Sequence, residues 1–179
     1  MKQSELIKAC KRNSYKAQMK AYQLYKDALF NTSIRFLKNE HDAQDVVHDA
    51  FIKGFQNIEK LDDEGSLIAW LKRIVINCSL DFIKKKKKMN WLDDGHITLE
   101  QESTEEDLNE KEYPSMEKIK KAIDQLKDKY RIIVVLYLIE NYTHKEIAEV
   151  LDLNESTVRN QYRRGKNQLK EQLQNTMTL

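Results

Sequence analysis

The sequence predicts an all-α protein of two small helical domains, joined by an acidic flexible linker, with a helix-turn-helix in the second. Only four Gly and one Pro occur among 179 residues, too few for the turns of a multi-stranded β fold. Apolar residues recur at helical spacing except in 91–113, where Asp and Glu outnumber Lys and Arg by eight. We therefore predict helical domains at 1–90 and 114–179, with the linker at 91–113 between them.

Two helices are predicted in the first part of the first domain. The first is marked, with some drift in phase, by Tyr22, Tyr25, Leu29, Ile34, Phe36 and Leu37. The second has a cleaner apolar side, formed by Ala43, Val46, Val47, Ala50, Phe51, Gly54, Phe55 and Ile58. Its outer face begins with Asp42, Asp45, His48 and Asp49. Acids near a helix N-terminus suit the macrodipole, which explains part of this pattern. Because the acids continue past the first turn, an exposed docking face for a basic partner is the competing interpretation.

The third helix, from Ser66 to about Lys88, carries two stripes. The core stripe consists of Leu67, Leu71, Ile74, Val75, Cys78 and Phe82. The other contains Trp70, Arg73, Asn77, Asp81 and Lys84 and ends in the run Lys84–Lys88. A ring that stacks on an unpaired base, an amide that bonds to its edge and lysines that follow phosphates suit single-stranded nucleic acid. Taken alone, Trp70 is also typical of a core residue, and the lysine run of a solvated helix end.

The second domain is predicted to begin at Pro114, which is tolerated in the first turn of a helix. Met116, Ile119, Ala122, Ile123 and Leu126 line that helix. The next helix is lined by Tyr130, Ile133, Val134 and Tyr137, and Leu136 and Leu138 make it apolar nearly all round. A helix of that kind belongs at the centre of a domain.

The stretch Thr143–Leu169 predicts a helix-turn-helix. Thr143 and Glu146 form a capping box, and Ile147, Ala148 and Leu151 give the first helix its apolar side. Asp152, Leu153 and Asn154 form the turn, with Asn154 as the next N-cap. Val158, Tyr162, Gly165 and Leu169 face inward, which leaves a basic outer face of Arg159, Asn160, Arg163, Arg164 and Lys166. That layout is typical of a recognition helix in the DNA major groove, and an ordinary helical hairpin with solvated cations is the alternative.

Three motifs occur in a diagnostic order: DAQDVVHDAF at 42–51, AWLKRIVINCSLDFIKK at 69–85, and the helix-turn-helix after a charged linker. Together they resemble the extracytoplasmic-function sigma factors of the sigma-70 family, the two-domain specificity subunits of bacterial RNA polymerase. The resemblance covers about 15–88 and 114–175. The helix-turn-helix alone is shared with many response regulators, whereas the three motifs in this order are specific.

The resemblance implies roles for individual residues. Family members dock on the clamp helices of the polymerase through positions that match Asp42, Gln44, Asp45, His48 and Asp49. The loop 60–65 and the following helix would melt and read the minus-ten promoter element, through Trp70, Arg73, Asn77, Lys84 and Lys85. The recognition helix would read the minus-thirty-five duplex through Arg159, Asn160 and Arg163, while Thr157, Arg164 and Lys166 are better placed for phosphates.

The sequence departs from the family pattern at four positions. Leu67 and Ile68 stand where Phe-Arg commonly precedes Ala-Trp, and Asp152 stands where the turn usually has Gly. Asp tolerates left-handed geometry, so the second departure is mild. Gly165 replaces a usual Ala and is expected to cost about 1 kcal/mol of helix stability.

We therefore predict a sigma factor that brings core RNA polymerase to promoter DNA and helps to open it; an anti-sigma protein is a candidate further partner. The alternatives are a helix-turn-helix regulator that is not a polymerase subunit, or a helical polymerase-binding adaptor. No nucleophile–base pair, metal cluster or phosphate loop appears, so neither enzymatic activity nor a cofactor is expected. Cys10 and Cys78 are isolated, and neither a membrane span nor a signal peptide is apparent. A cytoplasmic location with reduced thiols is therefore expected.

Overall fold

The computed structural model describes residues 2–86 and 114–177, which are helical and contain no strand within those ranges. They fall into two compact units, Met1–Lys88 and Met89–Leu179. The all-α fold class is thereby confirmed. The predicted acidic linker lies outside the described residues. Among the described helices, none combines the length and apolarity that a bilayer crossing requires.

Within residues 2–86, the first unit contains four α-helices and a short 3-10 turn. They are α1 (Gln3–Lys11), α2 (Tyr15–Leu37), α3 (Glu40–Gln56) and α4 (Leu67–Lys86), with the 3-10 turn at Ile58–Lys60 between α3 and α4. Ser14 and Asn39 cap α2 and α3, because each side chain accepts a hydrogen bond from a backbone N–H of the first turn. Helix α1 was not predicted. Its signal in the sequence is the triplet Leu6, Ile7 and Cys10, all buried.

Helices α2, α3 and α4 pack against one another around a single core. The predicted inner side of α3 is confirmed: Ala43, Val46, Val47, Ala50, Phe51 and Gly54 are buried. The predicted core stripe of α4 is buried or half-buried, but it is incomplete. Ile76, Leu80 and Ile83 are also buried, and Ser79 bonds to Ser33 of α2 through their hydroxyls at 3.0 Å. Helix α4 is therefore covered on two sides, which leaves a narrow exposed row.

The second unit contains α5 (Met116–Gln125), α6 (Asp128–Val134), a π-helical turn at Val135–Ile139, α7 (His144–Leu151) and α8 (Glu155–Met177). The predicted central helix is confirmed, since every residue from 130 to 136 is buried. That run includes Arg131, whose guanidinium donates to the Asp128 carboxylate at 2.6 Å. Pro114 precedes the N-cap Ser115 and lies before the first turn, not in it.

Two apolar residues of this unit lie outside the core that the sequence predicts for them. Met116 is 69% exposed because it occupies the first helical position of α5, six residues before Ala122, the first buried residue of that helix. Leu138 is 47% exposed because the π-helical turn shifts the phase of the chain after Val134. The apolar pattern alone assumes a constant helical period, so it places both residues inside.

Gly165 lies where α8 crosses α6 at close range. A Cβ on Gly165 would come within 2.8 Å of Val134 Cγ2 and 3.1 Å of Tyr130 Cβ. The sequence predicts only a loss of helix stability at this glycine. Packing offsets this loss, because the absence of a side chain at Gly165 lets α6 and α8 approach each other closely.

We expect Gly165→Ala to destabilise the protein. Overpacking of this kind costs about 1–3 kcal/mol, and alanine's better helix propensity offsets about 1 kcal/mol of that cost. Thermal and denaturant unfolding of the full chain would measure the net loss. Asn167→Ala, at an exposed position of the same helix, is the matched control and should not lower stability. A Gly165→Ala variant as stable as this control would contradict close packing at α6.

Candidate protein- and nucleic-acid-binding surfaces

The outer face of α3 is formed by the acidic and polar residues that the sequence singles out. Gln44, Asp45, His48 and Asp49 are exposed, because the intervening positions supply the core. Asp42 is only half-buried and belongs to the first turn. Asp45 and Asp49 lie beyond that turn, where the helix macrodipole gives acids little advantage. The dipole therefore does not account for the exposed acids at these two positions.

Three side chains of the α3 face have neighbours of their own. Lys86, in the last turn of α4, forms an ion pair with Asp42 at 2.7 Å. The Tyr22 hydroxyl of α2 and His48 Nε2 share a hydrogen bond of 2.8 Å, and His41 lies 3.2 Å from the Asp45 carboxylate. Hence Asp42 and His48 are partly committed to contacts within the first unit, whereas Asp45 keeps 61% of its side chain exposed.

The predicted nucleic-acid stripe of α4 is the exposed row of that helix. Arg73, Asn77, Asp81, Lys84 and Lys85 are exposed. Trp70 is half-buried and packs on the core, with its Cζ3 atom 3.5 Å from where a Cβ on Gly54 would lie. The core interpretation of Trp70 is therefore confirmed in part, and its role toward nucleic acid stays a prediction. Lys87 and Lys88 lie outside the described residues.

The buried cysteine beside this row is not a reactive thiol. Cys78 is buried on the inner side of α4, and burial raises the pKa of its thiol although Lys53 Nζ lies 3.5 Å from Sγ. Burial likewise raises the pKa of Cys10. Both cysteines are free, and both thiols stay protonated at neutral pH. Within the described ranges, no group of three or more His, Cys, Asp or Glu residues could hold a metal ion.

The helix-turn-helix of the second unit begins with the predicted capping box. The Thr143 hydroxyl accepts from the Glu146 N–H at 3.2 Å, and the Glu146 carboxylate accepts from the Thr143 N–H at 2.8 Å. Asp152 ends α7 in the left-handed region at φ 57° and ψ 50°, so the departure from Gly is accommodated. The predicted inward residues Ile147, Ala148, Leu151, Val158, Gly165 and Leu169 are buried, and Tyr162 is half-buried.

The outer face of α8 presents most of the predicted basic residues. Arg159, Asn160, Arg163 and Lys166 are exposed, and Thr157 is half-buried. The prediction for Arg164 needs correction: it is half-buried, because it borders the buried side of the helix that Gln161 and Gly165 occupy. Arg159 Nη2 donates to Glu155 Oε1 at 2.6 Å, one turn earlier on the same exposed surface.

An aromatic cluster that the sequence analysis did not identify joins α7 and α8. His144 stacks on Tyr137 with ring centroids 4.4 Å apart and an interplanar angle of 11°. The Tyr162 ring packs edge-on against His144, with their centroids 5.3 Å apart. Burial, and then the nearby Arg159 cation, lower the pKa of His144. The ring therefore stays neutral near pH 7, and acid that protonates it disfavours the folded unit. In the sequence, the signal for this cluster was His144 at the start of α7, with the inward residues Tyr137 and Tyr162 on either side of it along the chain.

Comparison with known proteins gives consistent matches over both units. The model for sigma-70 region 2 matches residues 21–89, which include α3 and α4. The model for sigma-70, region 4 matches residues 116–169, which include the helix-turn-helix. The two matched ranges thus contain every polymerase- and DNA-binding position that the sequence analysis assigns.

Curated relatives align with most of the chain. The ECF RNA polymerase sigma factor SigW of Bacillus subtilis (strain 168) is 33% identical over an alignment of 176 residues, and the alignment covers 93% of this chain and 94% of SigW. The RNA polymerase sigma factor SigV of the same organism is 25% identical over 135 residues, 75% of this chain and 78% of SigV.

Solved structures of similar fold support the same architecture. The sigma factor RpoE, solved with the anti-sigma factor NepR from Bartonella quintana, matches with a TM-score of 0.54 and 18% identity, over 87% of this chain and 96% of that one. CnrH, solved with the cytosolic domain of CnrY, matches with a TM-score of 0.53 and 19% identity, over 96% of this chain and 97% of its own. At these identities the likeness concerns the fold.

Proposed function

We propose residue-level roles for an extracytoplasmic-function sigma factor of the sigma-70 family, the family to which this chain belongs. As such a factor, it directs core RNA polymerase to specific promoters and takes part in transcription initiation. The observation that carries the proposed roles is the order of three exposed surfaces within the matched regions. They are the acidic face of α3, the exposed row of α4 and the basic face of α8.

The acidic face of α3 is proposed to dock on the polymerase. Asp45 and Asp49 carry the largest share, because both are exposed beyond the first turn. Asp42 and His48 would exchange their contacts with Lys86 and Tyr22 for contacts with the partner. A cationic helix on the polymerase is the complement that such a face requires. We assign docking to Asp42, Gln44, Asp45, His48 and Asp49.

The exposed row of α4 is proposed to hold the melted minus-ten strand. The accessible part of Trp70 can stack on an unpaired base, and Asn77 can bond to a base edge. Arg73, Lys84 and Lys85 supply cations along the same row for the phosphates. The loop 60–65 between α3 and α4 would contact the same element. The first domain, 1–90, is accordingly proposed to serve both the polymerase and the minus-ten element.

The basic face of α8 is proposed to read the minus-thirty-five duplex, as the role of the domain 114–179. Arg159, Asn160 and Arg163 lie near the start of α8, where side chains of a recognition helix meet base edges. Arginine can bond to guanine in a bidentate manner, and asparagine can do so to adenine. Thr157, Arg164 and Lys166 are assigned to phosphates. Glu155 holds Arg159 in place until the base is contacted.

We expect Arg159→Ala to weaken binding to the cognate upstream element by about 1–3 kcal/mol and to relax preference at one base position. Little stability should be lost, because an exposed ion pair such as Arg159–Glu155 contributes about 0–1 kcal/mol. Lys166→Ala, in the same helix, should weaken all sequences about equally and flatten the salt dependence. Binding of both variants to cognate and scrambled duplexes would be measured. Equal losses on the two duplexes for Arg159→Ala would assign it to phosphate.

Three further properties are proposed for the factor as a whole. It acts without catalytic chemistry of its own, in keeping with the sigma-factor family to which the chain belongs. It acts in the cytoplasm, where its polymerase partner and genomic DNA are found. An anti-sigma protein binds it in the resting state, a proposal supported by the complex with an anti-sigma factor in which the sigma factor RpoE, of similar fold, was solved.

The direct test adds the protein to sigma-free bacterial core polymerase and maps transcript starts across the genome. A sigma factor of this class should produce a set of starts that share two spaced elements. An equal amount of Asp45→Arg/Asp49→Arg protein is the negative control. If starts are the same with core polymerase alone, the assigned surfaces do not act in promoter recognition.

A further inference from the structure

Helix α1 packs against the chain that connects α3 to α4. Its buried residues Leu6, Ile7 and Cys10 belong to the same core cluster as Ile58 and Leu61, which lie at the start of that connection. The match to sigma-70 region 2 begins only at residue 21, so α1 lies before the matched range. Helix α1 therefore packs against the start of the loop that follows Leu61.

Polar contacts extend this packing to the tip of the loop. Lys11 Nζ forms an ion pair with Asp63 Oδ1 at 2.7 Å, and Lys8 Nζ approaches the other carboxylate oxygen at 3.9 Å. Gln3 Nε2 donates to the Gly65 carbonyl at 3.4 Å. Of the two cations, Lys11 is the more buried, with 19% of its side chain exposed. Residues from three successive turns of α1 thus hold the loop.

The loop itself is a tight turn with little room to rearrange. The Asp62 carbonyl accepts from the Gly65 N–H at 2.9 Å, and the Asp62 carboxylate accepts from the Glu64 N–H at 3.1 Å. A Cβ on Gly65 would lie 2.9 Å from Leu61 Cδ1 and 3.0 Å from the Asp62 carbonyl oxygen. Because the turn is closed internally, a contact at Asp63 sets the orientation of the whole loop.

Charge gives the contact a second consequence. Asp62, Asp63 and Glu64 form three consecutive acids, a poor surface to bring beside DNA phosphates. Lys8 and Lys11 lie within ion-pair distance of Asp63 and offset the charge of its carboxylate. The pair both orients the loop and removes part of its repulsion for nucleic acid.

We infer that α1 is a positioning element for minus-ten recognition: Lys11, with Lys8, holds Asp63 so that the loop 61–66 presents one conformation to the melted strand. This inference rests on the proposed role of the loop and of the α4 row. It assigns to Lys11 no contact with a base. Lys11 acts through Asp63, and its loss should alter base preference and opening without altering the upstream contacts of α8.

The ion pair persists across the neutral range. The hydrogen bond between the two groups is the largest cause that raises the pKa of Lys11 and lowers the pKa of Asp63. The lowered carboxylate pKa means that the contact is lost only as pH falls into the acid range. The raised ammonium pKa means that it is lost only at strongly alkaline pH. Assays near neutral pH therefore compare variants with the pair fully charged.

The test compares Lys11→Met and Asp63→Asn, singly and combined, with Lys16→Met as the control at an exposed lysine of α2. Open-complex formation is measured on duplex and on a pre-melted bubble, together with a randomised minus-ten library and binding to the upstream duplex. We expect Lys11→Met to slow opening of duplex by roughly two- to tenfold, the cost of ordering a few loop side chains. The double variant should open faster than Lys11→Met, because the carboxylate that has lost its Lys11 partner is gone.

Several outcomes separate this inference from the proposed function. Hydrogen exchange at residues 61–66 should accelerate in Lys11→Met while exchange in α2 and α3 does not change, which excludes general unfolding. If Lys11→Met and Asp63→Asn match the wild type in base preference, exchange and opening rate, the inference is wrong. If Asn77→Ala also opens duplex at the wild-type rate, the proposed role of the α4 row is wrong as well. Additive effects of the two substitutions would show that Lys11 acts independently of Asp63.

Discussion

Asp45→Arg together with Asp49→Arg is expected to abolish binding to core RNA polymerase while the first unit stays folded. Both side chains are exposed on the outer face of α3, and neither contributes to the core. Reversal at a complementary docking face replaces attraction by repulsion, which costs on the order of two to five kcal/mol. The change removes the exposed contact between Asp45 and His41, which adds little stability.

Co-elution with core polymerase on a sizing column, combined with thermal melting, would measure this effect. The matched control is Asp27→Arg together with Glu117→Arg, because both acids are exposed and lie outside the α3 face. The control carries the same change in net charge, so any general electrostatic effect appears in it too. Co-elution of the Asp45/Asp49 variant at wild-type strength would remove the α3 face as the docking site.

Asn77→Ala, and more strongly Trp70→Ala, should impair transcription from linear duplex while binding to the upstream element is unchanged. Each base that stacks on an aromatic side chain contributes roughly 1–3 kcal/mol toward the unpaired state. That contribution offsets the lost base stacking, about 1.4 kcal/mol per step. A pre-melted bubble template removes the cost of opening, so it should restore much of the activity.

The structure decides which variant gives the cleaner result. Trp70 is half-buried and packs beside Gly54, so Trp70→Ala also removes core contacts. Asn77 and Arg73 are exposed, and their substitution by Ala leaves the core intact. Thermal melting and polymerase binding must be measured on each variant. Stable, polymerase-binding Asn77→Ala and Arg73→Ala proteins that initiate from duplex at the wild-type rate would show that this row does not open DNA.

Much of the fold follows from local patterns. The apolar side of α3 and the capping box of Thr143 and Glu146 could be predicted because they depend on residues within two turns of each other. Helix α1 is harder to predict, because it is short and its stability comes from packing against residues that are distant in the sequence. The π-helical turn at Val135–Ile139 could not be predicted either, because no local residue type marks it.

The candidate surfaces were predictable to a different extent. Exposure of Asp45, Asp49, Asn77 and Arg159 follows from their place opposite an apolar stripe. The pairing of Asp42 with Lys86 could not be read from the sequence, because the two residues lie 44 positions apart and on different helices. The same holds for Tyr22 with His48, 26 positions apart. Long-range pairs depend on how the helices pack, and packing is not a local property.

By itself the sequence determined the all-α class, the amphipathic faces and the helix-turn-helix, because helical period, capping and charge are set by neighbouring residues. The order of its motifs also led to the sigma-70 family. Only the tertiary structure decided which polar residues are already engaged, why Gly165 is tolerated beneath α6, and that α1 holds the loop at Asp63. Those features arise where segments distant in the sequence meet. Because the interior is closely packed, each feature depends on the volume and charge of the residues around it.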